Sequence, residues 1–224
     1  MSMVRLNITA EGQSEEAFVN QMLAPHLLAH GKLVAVRRLR TSKHYRGGYT
    51  TYGKAQYDLL QWLKSEPDAW HTTLIDLYGL RGDFPGYTDV ARLPVPAKAL
   101  HIAQELHTDL TKHAAVAARR FIPYIQLHEF EALLFSEPAV MEEWLGVDRK
   151  LPAGCFAAIA DAYPTPEHIN DSPLTAPSKR IEALCAGYDK VDEGLLVLQE
   201  IGLARLRVAC PHFGAWLTTL ENLR

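Results

Sequence analysis

The stretch 4-VRLNITAEGQSEEAF-18 contains the change of hydrophobic period that decides the fold. Val4, Leu6 and Ile8 alternate with Arg5 and Asn7, as in a strand with one buried face. Glu11-Gly12 ends that pattern, and Ser14 is placed to cap a helix. The helix's apolar residues Phe18, Met22, Leu23 and Leu27 recur at helical spacing until Gly31. Alternation returns from Leu33 to Leu39. After the polar loop 41-TSKHYRGGYTTYG-53, a helix is expected through Tyr57, Leu60 and Leu63. A third strand follows at 72-TTLIDL-77, a helix from Leu100 to Leu110, and a fourth strand at 121-FIPYIQL-127. Strands alternating with helices predict an α/β domain, its parallel or mixed sheet flanked by helices. After 136 the texture changes to short helical pieces, proline-rich connections such as 163-YPTPEHINDSPLTAPSKR-180, and an amphipathic tail over 189–223. We therefore expect a core over 1–136 and a helical C-terminal elaboration over 137–224.

Composition narrows the function. Of the 224 residues 48% are apolar, enough for a sizeable core, and the net charge is −3. Such a balance gives no global pull toward nucleic acid, so a polyanion would have to meet a local basic patch. No stretch is apolar enough to span a membrane or resembles a signal peptide. Cys155, Cys185 and Cys210 are odd in number and widely spaced, which fits reduced thiols in the cytoplasm. No zinc site is read from the chain.

The acids concentrate where such a fold binds ligands. Glu11 ends the first strand, Asp76 the third, and His128, Glu129 and Glu131 follow the fourth in 125-IQLHEFEALLF-135. Open α/β sheets bind ligands outside the carboxyl ends of their strands. Carboxylates converging there make an oxygen-rich site for Mg²⁺ or Mn²⁺. Glu15, four residues after Glu11, could reach the same ion from the first helical turn. Inside 125–135 a carboxylate needs compensation: a metal, a basic partner, or a helix edge facing water. A helix over 128–135 would set His128 and Glu131 on one side, whereas an extended chain would point Glu129 and Glu131 the same way. Phosphates could be held by Lys43 and Arg46 within 37-RRLRTSKHYRGG-48, or by Lys179 and Arg180 at a proline-preceded helix start. If no metal is bound, Lys179 or Arg180 is where a basic partner for the acids of 125–135 is expected.

The strings 10-AEGQSEEAF-18, 75-IDLYGLRGDFPG-86, 124-YIQLHEFEALLF-135 and 176-APSKRI-181 resemble an uncharacterised bacterial Toprim-related family. The closing segments 188-YDKVDEG-194 and 202-GLARLRVACPHFGAWL-217 extend the likeness over nearly the whole chain. Members are often encoded beside AAA or SMC-like ATPases, including in anti-phage defence clusters. The resemblance implies a Toprim-like sheet with acids at its strand ends, as in topoisomerases, primases and overcoming-lysogenization-defect nucleases. There a glutamate follows the first strand, matching Glu11, and a DxD pair follows a later one. This chain supplies Asp76 but has Tyr78 at the second position, so Asp83, Glu129 or Glu131 is expected to complete the site. Lys179 is the candidate for the lysine that related nucleases place near the scissile phosphate, and His128 for a base or ligand.

Two functions follow from the resemblance. The first is a nuclease dependent on Mg²⁺ or Mn²⁺, acting on DNA or RNA with an ATPase partner. The second is a non-catalytic adaptor or sensor that binds nucleic acid within an ATPase complex. No P-loop is present, so the chain is not itself that ATPase. A homo-oligomer stays open.

Overall fold

In the computed structural model, which describes residues 3–39, 51–90, 92–170 and 174–224, the chain forms two compact units. The first comprises Met1–Gln126 with Leu220–Arg224, and the second Leu127–Thr219. Residues 127–136, placed with the core by the sequence, thus fall in the second unit.

The first unit is built on a sheet of Val4–Ala10 (β1), Lys32–Arg38 (β2), Trp70–Asp76 (β3), Phe121–Ile122 (β4) and Ile125–Gln126 (β5). Their order is β2-β1-β3-β4, β5 also lies on β3, and all these pairings are parallel. Both faces of β1 are closed. Leu6, Ile8 and Ala10 are fully buried, but so, within a few per cent, are Asn7 and Thr9 on the other face. The expected one-sided strand is therefore corrected: a parallel sheet carries helices on both faces, and polar residues in its central strand need not meet water.

The first helix begins at Gln13, not at a Ser14 cap. Gly12 is its N-cap, and Glu15 folds back so that Oε2 accepts the Gly12 N–H at 2.8 Å. This helix, α1 (Gln13–Phe18), continues through a π-helical turn at Val19–Leu23 into α2 (Ala24–Ala29). In α3 (Tyr52–Ser65) the inward stripe is Ala55, Asp58, Leu59, Trp62 and Leu63, while Tyr57 faces solvent. Asp58 tolerates burial because Arg37 Nη2 lies 3.3 Å from its Oδ1, with the guanidinium stacked over Trp62. Arg38 pairs with Glu16 at 3.0 Å. These two members of the basic cluster thus serve the sheet edge, whereas Lys43 and Arg46 lie outside the described residues. The helix α4 (Val95–Ala118) starts earlier than its apolar period suggests, because Pro96 sits in the first turn, where no N–H is needed.

The fourth strand is broken into two short pieces by Pro123, which has no N–H to give the ladder. The Thr73 hydroxyl repairs the gap, donating to Tyr124 O at 2.8 Å and accepting the Tyr124 N–H at 2.9 Å.

The second unit is organised by the apolar run itself. Phe130–Ser136 forms a 3-10 stretch whose residues are all buried. Packed on it are α5 (Pro138–Leu145), α6 (Cys155–Ala160), α7 (Pro177–Leu184) and α8 (Asp192–Ala209). Each large apolar side chain buried there contributes roughly 1.5–3 kcal/mol. A last helix, α9 (Pro211–Glu221), follows the break at Cys210-Pro211. The three cysteines are free thiols. No described helix is long and apolar enough to cross a membrane.

Candidate functional site

The strand order sets the site in the first unit. The chain leaves β1 toward β2 on one side, while β3 flanks β1 on the other, so the switch point lies between β1 and β3. Their register pairs Ala10 with Leu74. Glu11, one residue beyond, donates its N–H to Leu74 O at 2.9 Å. Its side chain then crosses to the neighbouring strand end, where Oε2 accepts the Asp76 N–H at 2.9 Å. The Glu11 carboxylate is therefore tied to the backbone of the neighbouring strand end, and both residues are half-buried.

Gly79 maintains the space for this arrangement. It closes the 3-10 turn Leu77–Gly79, and a Cβ there would stand 2.8 Å from Glu11 Oε1. The donor set is all carboxylate oxygen, as a hard divalent cation requires, and the glycine leaves the Glu11 carboxylate unobstructed. Carboxylates of this kind are the donors that Mg²⁺ or Mn²⁺ takes. Glu15 is buried one turn on, with one oxygen committed to the Gly12 N–H. Tyr78, at the position of the missing second aspartate, is 41% exposed. Asp83 is exposed and accepts the Tyr52 N–H at 2.7 Å, which caps α3 where the helix dipole favours an anion.

The acids of 125–135 have a different environment, inside the second unit. His128 takes a left-handed backbone, φ 60°, which turns the chain out of β5; the Asn170 amide lies 3.1 Å from its Nδ1. Glu129 is extended and Glu131 enters the 3-10 stretch, so neither the wholly helical nor the wholly extended geometry applies. Both carboxylates are buried. Glu129 Oε2 accepts the Ser178 N–H at 2.9 Å, at the start of α7. Glu131 Oε1 pairs with Lys190 Nζ at 3.0 Å. Burial raises the Glu131 pKa above the usual carboxylate range, Lys190 opposing and Glu129 adding to the rise. Burial works to lower the Lys190 pKa, but the charge and hydrogen bond of Glu131 outweigh it, and the ammonium is held above its ordinary range.

The compensation is therefore a lysine and a helix amide, though not the residues expected. Lys179 is exposed and pairs with Glu182 at 2.6 Å. Arg180 donates to Thr175 O at 2.7 Å and to the Tyr163 hydroxyl at 2.6 Å. Lys190 escaped the sequence because 188-YDKVDEG-194, noted only for the family resemblance, carries no local mark of a lysine paired with a buried acid. Glu167 escaped it too, lying in a proline-rich connection with no periodicity to mark it as buried. It is 1% exposed, and its two oxygens accept the N–H groups of His212 and Phe213 at the start of α9, each at 2.9 Å. Burial nonetheless raises its pKa against the pull of those amides.

The fold is similar to that of the C-terminal region of the Burkholderia pseudomallei OLD protein. The TM-score is 0.50 at 16% sequence identity, over 97% of each chain. That likeness is one of fold: an α/β, Toprim-like parallel sheet flanked by helices, followed by C-terminal helices, as the sequence resemblance implied. No curated protein matches the chain in sequence. The family described as a domain of unknown function, DUF4276, matches residues 10–221, and the chain belongs to it.

Proposed function

We propose that the chain is a Toprim-type nuclease that hydrolyses nucleic-acid phosphodiesters with Mg²⁺ or Mn²⁺. The observation that carries this reading is the Glu11–Asp76 contact at the switch point between β1 and β3. A divalent cation there supplies Lewis-acid polarisation of the phosphodiester and a more nucleophilic water. The chain's own part is to hold that charge. Glu11 and Asp76 provide the carboxylates, the β3 backbone orients Glu11, Gly79 leaves its carboxylate room, and Glu15 fixes the turn that precedes α1. The substrate class is DNA or RNA. The partner class is an AAA or SMC-like ATPase in anti-phage defence, which rests on the sequence resemblance alone.

Calorimetric titration of Mn²⁺ and Mg²⁺ into wild type, Glu11→Gln and Asp76→Asn, followed by cleavage assays on DNA and RNA, tests the proposal. Both variants should lose metal binding and at least about a hundredfold in cleavage rate. Metal-dependent cleavage retained in both would refute the site. A second reading, a non-catalytic adaptor, is favoured by Tyr78 standing where a second aspartate is expected. Nucleic-acid binding without metal-dependent turnover, with the ATPase present, would select it.

A further inference from the structure

A histidine pair outside the strand-end site has ligand geometry of its own. The segment 26-HLLAH-30 carries an HxxxH spacing, against the expectation that the chain holds no zinc site. In a helix, residues four apart share a face. His26 lies in α2 and His30 caps its end, and their ring centroids are 4.6 Å apart. Glu221, the last residue of α9, belongs to the same compact unit and places Oε1 2.6 Å from His26 Nε2. One ligand atom from each of the three residues lies within 4.8 Å of the others. Among the described residues they are the one trio of His, Cys, Asp or Glu side chains this close.

The hydrogen bonds assign the donors. His30 Nδ1 lies 3.0 Å from the His26 carbonyl. A carbonyl can only accept, so this nitrogen carries the proton and Nε2 presents its lone pair. Metal-bound histidines are commonly oriented in this way, by a backbone acceptor on the other ring nitrogen. The Glu221 carboxylate likewise accepts from His26 Nε2, so a metal would replace that proton and keep both groups as ligands. A tetrahedral Zn²⁺ about 2.0–2.2 Å from each donor separates its ligand atoms by roughly 3.3 Å. Side-chain rotation covers the difference from the observed spacing.

We propose that His26, His30 and Glu221 form a binding site for a borderline transition-metal dication, Zn²⁺ in the first instance. Water takes the fourth position. Two imidazoles and one carboxylate favour such an ion over Mg²⁺, which prefers oxygen ligands alone. The site's role is a clasp. It fastens residues 220–224 to α2, where buried Leu220 and Leu223, and the bond from Trp70 Nε1 to Arg224 O at 3.1 Å, already hold that segment. This site is independent of the strand-end acids and stands whether or not the chain is a nuclease.

The test is calorimetric titration of ZnCl₂, in excess Mg²⁺ to occupy the strand-end acids, into tag-free, metal-stripped full chain, alongside His30→Ala and Glu221→Gln. His30 is exposed, so its replacement leaves the fold intact. Wild type should bind one equivalent. His30→Ala and Glu221→Gln should each weaken Zn²⁺ at least about tenfold, the loss seen even for outer-shell partners. The Co²⁺-substituted protein should show visible d–d bands without thiolate charge transfer, and Zn²⁺ should slow carboxypeptidase trimming of 220–224 in wild type only. No Zn²⁺ binding by wild type, equal binding by both ligand variants, or a cobalt–thiolate band assigning the ion to cysteine would overturn the site.

Discussion

The acids of the two units are alike in sequence and differ in what surrounds them. In the second unit each buried carboxylate already has a protein partner: Glu129 the Ser178 amide, Glu131 the Lys190 ammonium, Glu167 the two amides at the head of α9. These groups hold helices in place. In the first unit Glu11 and Asp76 stand together at a strand-end switch point, half-buried, beside a glycine whose missing Cβ leaves room. A carboxylate inside an apolar run therefore says only that something compensates it. Its position on the sheet and the space beside it are what single out Glu11 and Asp76 for the proposed ligand site.

The strongest way to break this comparison is to remove a partner in the second unit. Lys190→Met leaves Glu131 buried without its counter-ion. We expect a loss of about 3 kcal/mol in unfolding free energy, the lower end for breaking a buried pair. The lower end applies because the lysine side chain is 41% exposed. Adding Glu131→Gln should restore part of that loss, since the uncompensated charge is then gone. The sign with pH follows from the lysine. Its folded pKa is raised, so its contribution is complete below the unfolded value and fades as pH rises through the folded one. Chemical denaturation of the single and double variants at neutral and alkaline pH measures both effects. An unchanged stability in Lys190→Met would mean that the Glu131–Lys190 pair is not structural.

How much of the molecule is legible in its sequence follows the same division. The strand–turn–helix of 4–18 and the strand 72–77 were legible because period and turn residues act locally, and with them came the placement of Glu11 and Asp76. The two-sided burial of β1 was not, because Asn7 and Thr9 look solvated until helices cover both faces. The split at Pro123 depends on Thr73, distant in sequence. The partners of Glu129 and Glu131 come from α7 and from the turn at Lys190, and charge alone does not choose among Lys179, Arg180 and Lys190. The HxxxH spacing of His26 and His30 stands in the sequence, yet no zinc site was read from it. Glu221, which makes them a trio, is brought in only by the fold.

A smaller effect tests the capping role of second-unit acids. Glu167→Gln keeps the shape, but its amide nitrogen cannot accept, so one of the His212 and Phe213 N–H groups loses its acceptor. The expected cost is about 1–2 kcal/mol, read by denaturation, with no change in the Mn²⁺ binding proposed for the first unit. A loss of metal binding in this variant would bring a second-unit acid into the site and erase the distinction.

The smallest stability effect should come from Gly79→Ala, and it sharpens the comparison most. The added Cβ meets the far end of the Glu11 side chain, which can swing aside, and alanine is well tolerated in a helical turn. The fold should therefore lose no more than about 1 kcal/mol, the worth of the one hydrogen bond from the Asp76 N–H to Glu11. Yet a displaced Glu11 carboxylate no longer sits on the Asp76 amide, so Mn²⁺ affinity should fall at least about tenfold. Lys190→Met should show the reverse pattern, with stability lost and metal affinity kept. Measuring unfolding and Mn²⁺ binding on both proteins separates an acid held for a ligand from one held for the fold. If Gly79→Ala binds Mn²⁺ as wild type does, the space beside Glu11 is incidental to metal binding.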